Sequence, residues 1–192
     1  MAINDKEHFY PKTQKAWRTW LEKNHIDKDA VWLILCKKSS NLPTISWSDS
    51  VDEALCFGWI DSVKRKLDND RSIQYFSKRK PKGTWSKVNK EKVDLLIESG
   101  KMTSAGMKCI EIAKQNGSWE ILDSVEALIV PKDLEHALNA LPNAMDYFQS
   151  LRKSSKKILL SWLVFAKKEE TRLRRIAEIA ENASKNKKPN QF

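Results

Sequence analysis

The residues that could do chemistry cluster between Asp52 and Val93, where Trp59, Asp61, Phe76, Arg79, Trp85 and Asn89 stand among lysines. Asp61 follows Gly58–Trp59–Ile60 on a segment that is otherwise apolar before its lysines. A carboxylate there can hold a buried cation, with Arg79 the natural partner, or serve as a ligand or an acid–base group. Arg79 precedes Trp85 across a short basic loop, and Ser86–Asn89 opens the next helix. A guanidinium beside an indole at a helix N-terminus can grip a phosphate or stack on a planar ring. Asp61, Arg79, Trp85 and Asn89 are therefore the candidate ligand-binding residues. Within this set, Asp61 is expected to point inward with Trp59 and Val63. Arg79, flanked by Lys78, Lys80 and Pro81, is expected to face solvent. A basic loop pinned to the core by Trp85 is the competing structural reading.

Much other chemistry is missing from the sequence. It has no Gly-rich phosphate loop, no GxGxxG fingerprint and no GxSxG elbow. His8, His25 and His136 stand apart with no HExxH or CxxC partner, so neither a metal nor a cofactor is expected. No nucleophile–base pair is visible, so no catalytic residue is assigned and the balance leans away from an enzyme. Cys36, Cys56 and Cys109 are odd in number and widely spaced, which reads as reduced core thiols in a cytoplasmic protein. The first residues lack an apolar signal-peptide core, and no apolar run is long enough to insert in a membrane.

The chain has 192 residues with a net charge of +10, unevenly distributed. Residues 59–92 hold 11 Lys/Arg against 4 Asp/Glu, and residues 151–192 hold 12 against 4. Two basic blocks thus sit on a slightly acidic remainder. They can attract nucleic acid, anionic lipid or an acidic partner, or merely solubilise the surface.

The elements that must position these groups follow from periodicity. Lys12–Asn24 reads as a helix with Trp17, Trp20 and Leu21 on one face. Val31–Cys36 is apolar in both alternating sets, which predicts a central strand covered on both faces. Ser46 can cap a helix that places Trp47, Val51, Ala54 and Leu55 inward and ends at Gly58. Trp59–Lys66 and Ile73–Ser77 read as two strands joined by the turn Asp68–Asn–Asp70. Ser86 and Thr103 or Ser104 can cap two further helices, stopped by Gly100 and Gly117. The last third reads as helical, with Pro131 in a first turn and Ser154 or Ser155 as a cap. Leu159, Trp162, Leu173, Ile176, Ala177 and Ala180 are expected inward across a break at Lys168–Glu170. The fold class is α+β: a small mixed or antiparallel sheet with helices over residues 1–125, a helical module over 126–184, and a disordered polar tail over 185–192.

Two blocks carry a resemblance. The first is Glu53–Ala–Leu–Cys–Phe–Gly–Trp–Ile–Asp61, Phe76, Arg79–Lys–Pro–Lys82, Trp85–Ser–Lys–Val–Asn–Lys–Glu91, Gly100–Lys–Met102 and Ala105–Gly106. The second is Ala166–Lys–Lys–Glu–Glu–Thr–Arg172 with Arg175–Ile176. Together they resemble the YdeI/OmpD-associated, or bacteriocin-protection, family. The chain departs from that family's usual Thr-Pro-Arg at Ser77–Lys78–Arg79, and has Gly83 where Ser is common. The resemblance implies a cytoplasmic bacterial stress or protection protein linked to tolerance of antimicrobial peptides, and transfers no catalytic residue.

The composite expectation is a non-enzymatic protein that binds an anionic ligand or a protein partner. The alternatives are a nucleic-acid-binding protein using the two basic blocks, with weak and non-specific affinity, and an enzyme acting on a small anionic substrate through Asp61.

Overall fold

The structure, a computed structural model, describes residues 7–188. The chain divides into two compact units, the first ending at Trp119 and the second beginning at Glu120. The first unit runs β1 (His8–Phe9), α1 (Gln14–Asn24), β2 (Ala30–Cys36), α2 (Trp47–Cys56), β3 (Trp59–Lys66), β4 (Arg71–Lys78), α3 (Lys87–Glu98) and α4 (Ser104–Gln115). Its four-stranded sheet has the order β1-β2-β4-β3. Only the β1–β2 pair is parallel, so the sheet is mixed and the class is α+β.

β2 is central, between β1 and β4, as its apolar sequence predicts. Val31, Leu33 and Leu35 are buried in the main core with Phe76, which pairs with Val31. Aromatic rings dominate that core. Trp17 stacks on Trp20 at 5.2 Å, Trp20 meets Trp59 edge-on at 5.8 Å, and Trp17 tilts against Phe76 at 5.4 Å. The buried Trp17 indole N–H donates to Ser50 O at 3.0 Å, so its polar edge is satisfied.

The opposite face of β2 is covered differently from expectation. Trp32 is buried there against Tyr75 at 4.9 Å and under the Arg65 guanidinium at 5.4 Å. Ile34 and Cys36 are only half-buried. Cover on this side thus includes side chains of the sheet itself, which shield Trp32 more fully than the two smaller residues beyond it.

β3 carries a β-bulge. Asp61 pairs with Phe76 and Lys64 with Gln74, so Ser62 and Val63 together oppose Tyr75. The extra residue breaks the alternation of faces. Val63 is therefore 51% exposed instead of sharing the inner face with Trp59 and Asp61.

The α2–β3 junction is a sharp turn at Gly58, whose φ is +71°. Three elements converge on it. Thr103 caps α4 and donates both its backbone N–H and its hydroxyl to Cys56 O, at 3.2 and 2.5 Å. Arg79 N–H donates to Gly58 O at 2.9 Å. Gly106 lies so close that a Cβ there would sit 2.4 Å from Cys56 O. Glu53, buried one turn earlier on α2, accepts from Gln14 at 2.7 Å and Arg18 at 2.9 Å, clamping α1 to α2.

The second unit contains α5 (Asp123–Glu126), α6 (Lys132–Asn139), α7 (Ala144–Ser150), α8 (Lys153–Val164) and α9 (Glu169–Ser184). The division at 119/120, rather than 125/126, reflects Val125 packing among Leu134, Phe148 and Leu159. Pro131 is the N-cap of α6, one position before the first turn. Arg152, not a serine, flanks the start of α8, and Ser155 is buried.

α9 is rotated from its expected phase. Ile176, Ile179, Ala180 and Ala183 are buried, while Leu173 is 54% exposed and Ala177 is exposed. Both sets have the same helical spacing, so periodicity alone could not choose between them. Trp162 is half-buried under the Arg175 guanidinium, 4.9 Å from its ring. Arg172 at the start of α9 forks onto Asp133 of α6, at 2.7 and 2.9 Å. Residues 185–187 belong to the helix end: Asn186 adopts φ +53°, and Lys187 N–H returns to Asn182 O. The rest of the tail expected to be disordered, 189–192, lies outside the described residues.

Two outcomes follow. Trp32 N–H donates toward β1, to Glu7 O, so the alternating amides of Val31, Leu33 and Leu35 point to β4. These should be among the slowest in hydrogen exchange, with Cys36, whose amide bonds only to Thr44 Oγ1 of a loop, faster. The Arg172 guanidinium also holds the Asp133 carboxyl below its ordinary value. A depressed carboxylate stabilises the fold above its unfolded pKa, about 3.9, and loses that stabilisation as pH falls through the folded value. Asp133→Asn should flatten the acid limb of the second unit's stability curve below about pH 4, read by circular dichroism.

Candidate functional site

The four residues singled out by sequence separate into two environments. Arg79 and Trp85 are stacked, with the guanidinium carbon 3.5 Å from the indole centroid. Trp85 is 2% exposed and packs on Trp119 at 4.9 Å. Arg79 is 9% exposed, so it does not face solvent as the flanking lysines and proline suggested. The reason is its anchoring: the backbone is fixed to Gly58 O, and Nη1 donates to Thr84 O at 3.0 Å. Burial pushes the guanidinium down to about 10, leaving it charged at neutral pH. Its Nε and Nη2 find no acceptor among the described residues. Asn89 is half-buried in the first turn of α3, and its backbone N–H is taken by the cap Ser86.

Asp61 does not form the expected ion pair with Arg79. Its Oδ2 instead accepts from the Trp47 indole N–H at 2.9 Å and from Gln74 Nε2 at 3.1 Å. The pairing register explains this. Asp61 lies beside Phe76 on the helix-covered face, immediately before the bulge, within reach of the first residue of α2. Trp47 is 50% exposed, although the helical stripe placed it inward. It is the first residue of α2, one turn before the buried Ser50 and Val51.

Beside Trp47 lie two grooves, of about 370 and 470 Å³, that share Lys37, Lys64 and Ser72. The first is also lined by Lys38, Thr44, Ile45, Ser46 and Trp47, and the second by Arg65, Lys66, Asp68 and Arg71. Their floor is the end of the sheet, where Leu35 pairs with Ser72 and Ser72 with Lys66. The bulge sets the phase here: it returns Lys64 to the face of its partner Gln74. One wall is the loop after β2. Tyr10 and Thr44 pin that loop, Tyr10 through Pro43 O and Thr44 through the Cys36 amide.

The electrostatics of the grooves are one-sided. Asp68 contributes a lining carboxylate, and it is engaged by Arg71 at 2.6–2.7 Å while also accepting the Asp70 and Arg71 amides. These bonds, with the Arg71 side chain the largest influence, hold Asp68 below its ordinary value. Among the described residues, no carboxylate pairs with Lys37, Lys38, Lys64 or Lys66. Such a surface attracts anions.

The second basic block behaves differently. Arg172 is committed to Asp133, Arg175 to Trp162 O and its ring, and Lys157 to Glu126.

The thiols are ordinary. Burial, with Glu53 nearby, pushes Cys56 up to about 11, and burial raises Cys109 against the opposing pull of Arg79. Both stay protonated at neutral pH and lack thiolate reactivity. The described residues contain no cluster of metal-ligating side chains. No helix among them is long and apolar enough to cross a membrane.

The groove lysines were overlooked in sequence because Lys37–Lys38 read only as the end of a strand. The available signal was the recurrence of lysines at the ends of Val31–Cys36 and Trp59–Lys66, which antiparallel packing around a shared neighbour brings together.

Residues 9–109 match a family described as a Domain of unknown function (DUF8412), and residues 127–186 match one described as Bacteriocin-protection, YdeI or OmpD-Associated. The chain belongs to the first family, which spans more than half its length, and carries the YdeI/OmpD-associated domain in its helical unit. The resemblance block Glu53–Gly106 therefore falls within the first match, and Ala166–Ile176 within the second. No curated protein and no solved structure matches the chain.

The stacked Arg79 gives a direct test. Arg79→Ala should remove a buried side chain against Trp85 and destabilise by roughly 2–4 kcal/mol. Arg79→Met keeps the volume and discards an incompletely bonded cation, so it should cost less than about 1.5 kcal/mol. Urea denaturation distinguishes them, and equal losses would show that the charge, rather than the packing, matters.

Proposed function

We propose that this protein works by binding a polyanionic ligand in the two joined basic grooves, without catalysis. The observation that carries this reading is the set of lysines around Lys37, Lys64 and Ser72 that have no carboxylate partner among the described residues. The YdeI/OmpD-associated domain supports placing the activity in stress protection linked to antimicrobial-peptide tolerance. The unpaired thiols of Cys36, Cys56 and Cys109 fit a reducing, cytoplasmic setting. Asp61 serves this site through Trp47, whereas Arg79 and Trp85 line neither groove.

Binding should be electrostatic at its base. Inorganic polyphosphate should bind at low salt and weaken steeply as salt rises, because contacts to phosphate release counterions. Lys37→Glu combined with Lys64→Glu should abolish binding without lowering the melting temperature, since both side chains are exposed and the change removes like-charge repulsion. The paired change Lys153→Glu and Lys156→Glu on α8 should leave binding intact. Equal loss from both pairs would show general charge attraction and refute a localised site.

A further inference from the structure

Trp47 is held in an unusual way for an exposed tryptophan. Half its surface is open, and it forms a wall of the 370 Å³ groove. Its only polar atom is satisfied, because the indole N–H donates to Asp61 Oδ2 at 2.9 Å. Asp61 is held in turn by Gln74, which is 3% exposed and also donates to Ser62 O at 3.2 Å. The ring is thus fixed in orientation by a chain of hydrogen bonds reaching into the sheet. What it leaves for a partner is an aromatic surface, beside Lys37, Lys38 and Lys64.

A fixed aromatic surface beside a basic groove is the combination that binds single-stranded nucleic acid. Bases stack on the ring irrespective of sequence, and cations track the phosphates. The smaller groove suits a nucleotide-sized occupant. The larger groove continues from the shared Lys37, Lys64 and Ser72 toward Arg65 and Lys66, so a strand could run on beyond the stacked base.

We infer that the grooves form a single-strand nucleic-acid site in which a base stacks on Trp47 and the backbone crosses Lys64 and Lys37 into the second groove. This deepens the polyanion reading and rests on it. Asp61 is a positioning residue: it sets the ring and touches no phosphate.

The experiment compares fluorescently labelled oligothymidylate with competing inorganic polyphosphate of matched charge, using the full chain at fixed salt. Wild type should bind the oligonucleotide more tightly than the polyphosphate. Trp47→Ala should weaken oligonucleotide binding by roughly 5- to 100-fold, the range expected for one stacked base, and leave polyphosphate binding unchanged. Trp47→Phe keeps a ring to stack on but lacks the N–H that Asp61 holds, so it should restore part of the loss, which a merely structural role for the indole N–H would not allow. Asp61→Asn should cause an intermediate loss for the oligonucleotide alone. Equal wild-type affinity for both probes, or an unaltered oligonucleotide affinity in Trp47→Ala, would overturn the stacking inference while leaving the polyanion reading standing. Failure of wild type to bind either probe at low salt would overturn both. Melting curves of each variant show whether a loss comes from unfolding; if Trp47→Ala is unfolded, the comparison of Trp47→Phe with Asp61→Asn decides. Equal oligonucleotide binding by those two and wild type would then reject the inference.

Discussion

The first unit depends on one carbonyl and the turn that follows it. Cys56 O ends α2, accepts two bonds from Thr103, and faces Gly106 at a distance that excludes any side chain. Gly58 then reverses the chain into β3 and offers its own carbonyl to Arg79. α2, α4, β3 and the end of β4 are therefore located by a few adjacent atoms. Because α2 is fixed at this end, its opposite end is fixed too, and Trp47 is carried to the sheet position where Asp61 can reach it. The matched residues Phe57–Gly58, Arg79 and Ala105–Gly106 are thus parts of a packing device, and their chemistry is geometric.

The two basic blocks have similar composition and different physical roles. In the helical unit, Arg172 and Arg175 act as struts that join helices through a carboxylate and a backbone carbonyl. In the sheet unit, the lysines around the end of β2 and the bulge of β3 face one another around two grooves, with Asp68 already engaged by Arg71. Mutual repulsion among such groups disfavours the folded state, and an anion bound between them relieves it. Net charge alone could not separate these roles, because it does not record which cations have partners.

Arg79 shows how an interior cation can resemble a surface one in sequence. Its neighbours Lys78 and Lys80 point elsewhere, Lys78 toward Ile26 O and Asp29, while Arg79 turns under the loop onto Trp85. The alternation of an extended segment sends successive side chains to opposite sides. A run of three basic residues therefore need not be a run of three exposed ones.

By itself the sequence determined most of the element types, the α+β class, the central place of Val31–Cys36, the caps at Ser46, Ser86 and Thr103, and the left-handed stops at Gly58, Gly100 and Gly117. Each is governed by local sterics, short-range hydrogen bonding or hydrophobic period, which adjacent residues encode. Only the tertiary structure decided the parallel pairing of the two-residue β1, the bulge that turns Val63 outward, the phase of α9, the burial of Arg79, and the exchange of an Asp61–Arg79 pair for an Asp61–Trp47 one. These depend on where one element meets another. Two helical faces of equal spacing, or two available polar partners, are not distinguished by sequence, and packing against distant residues selects between them.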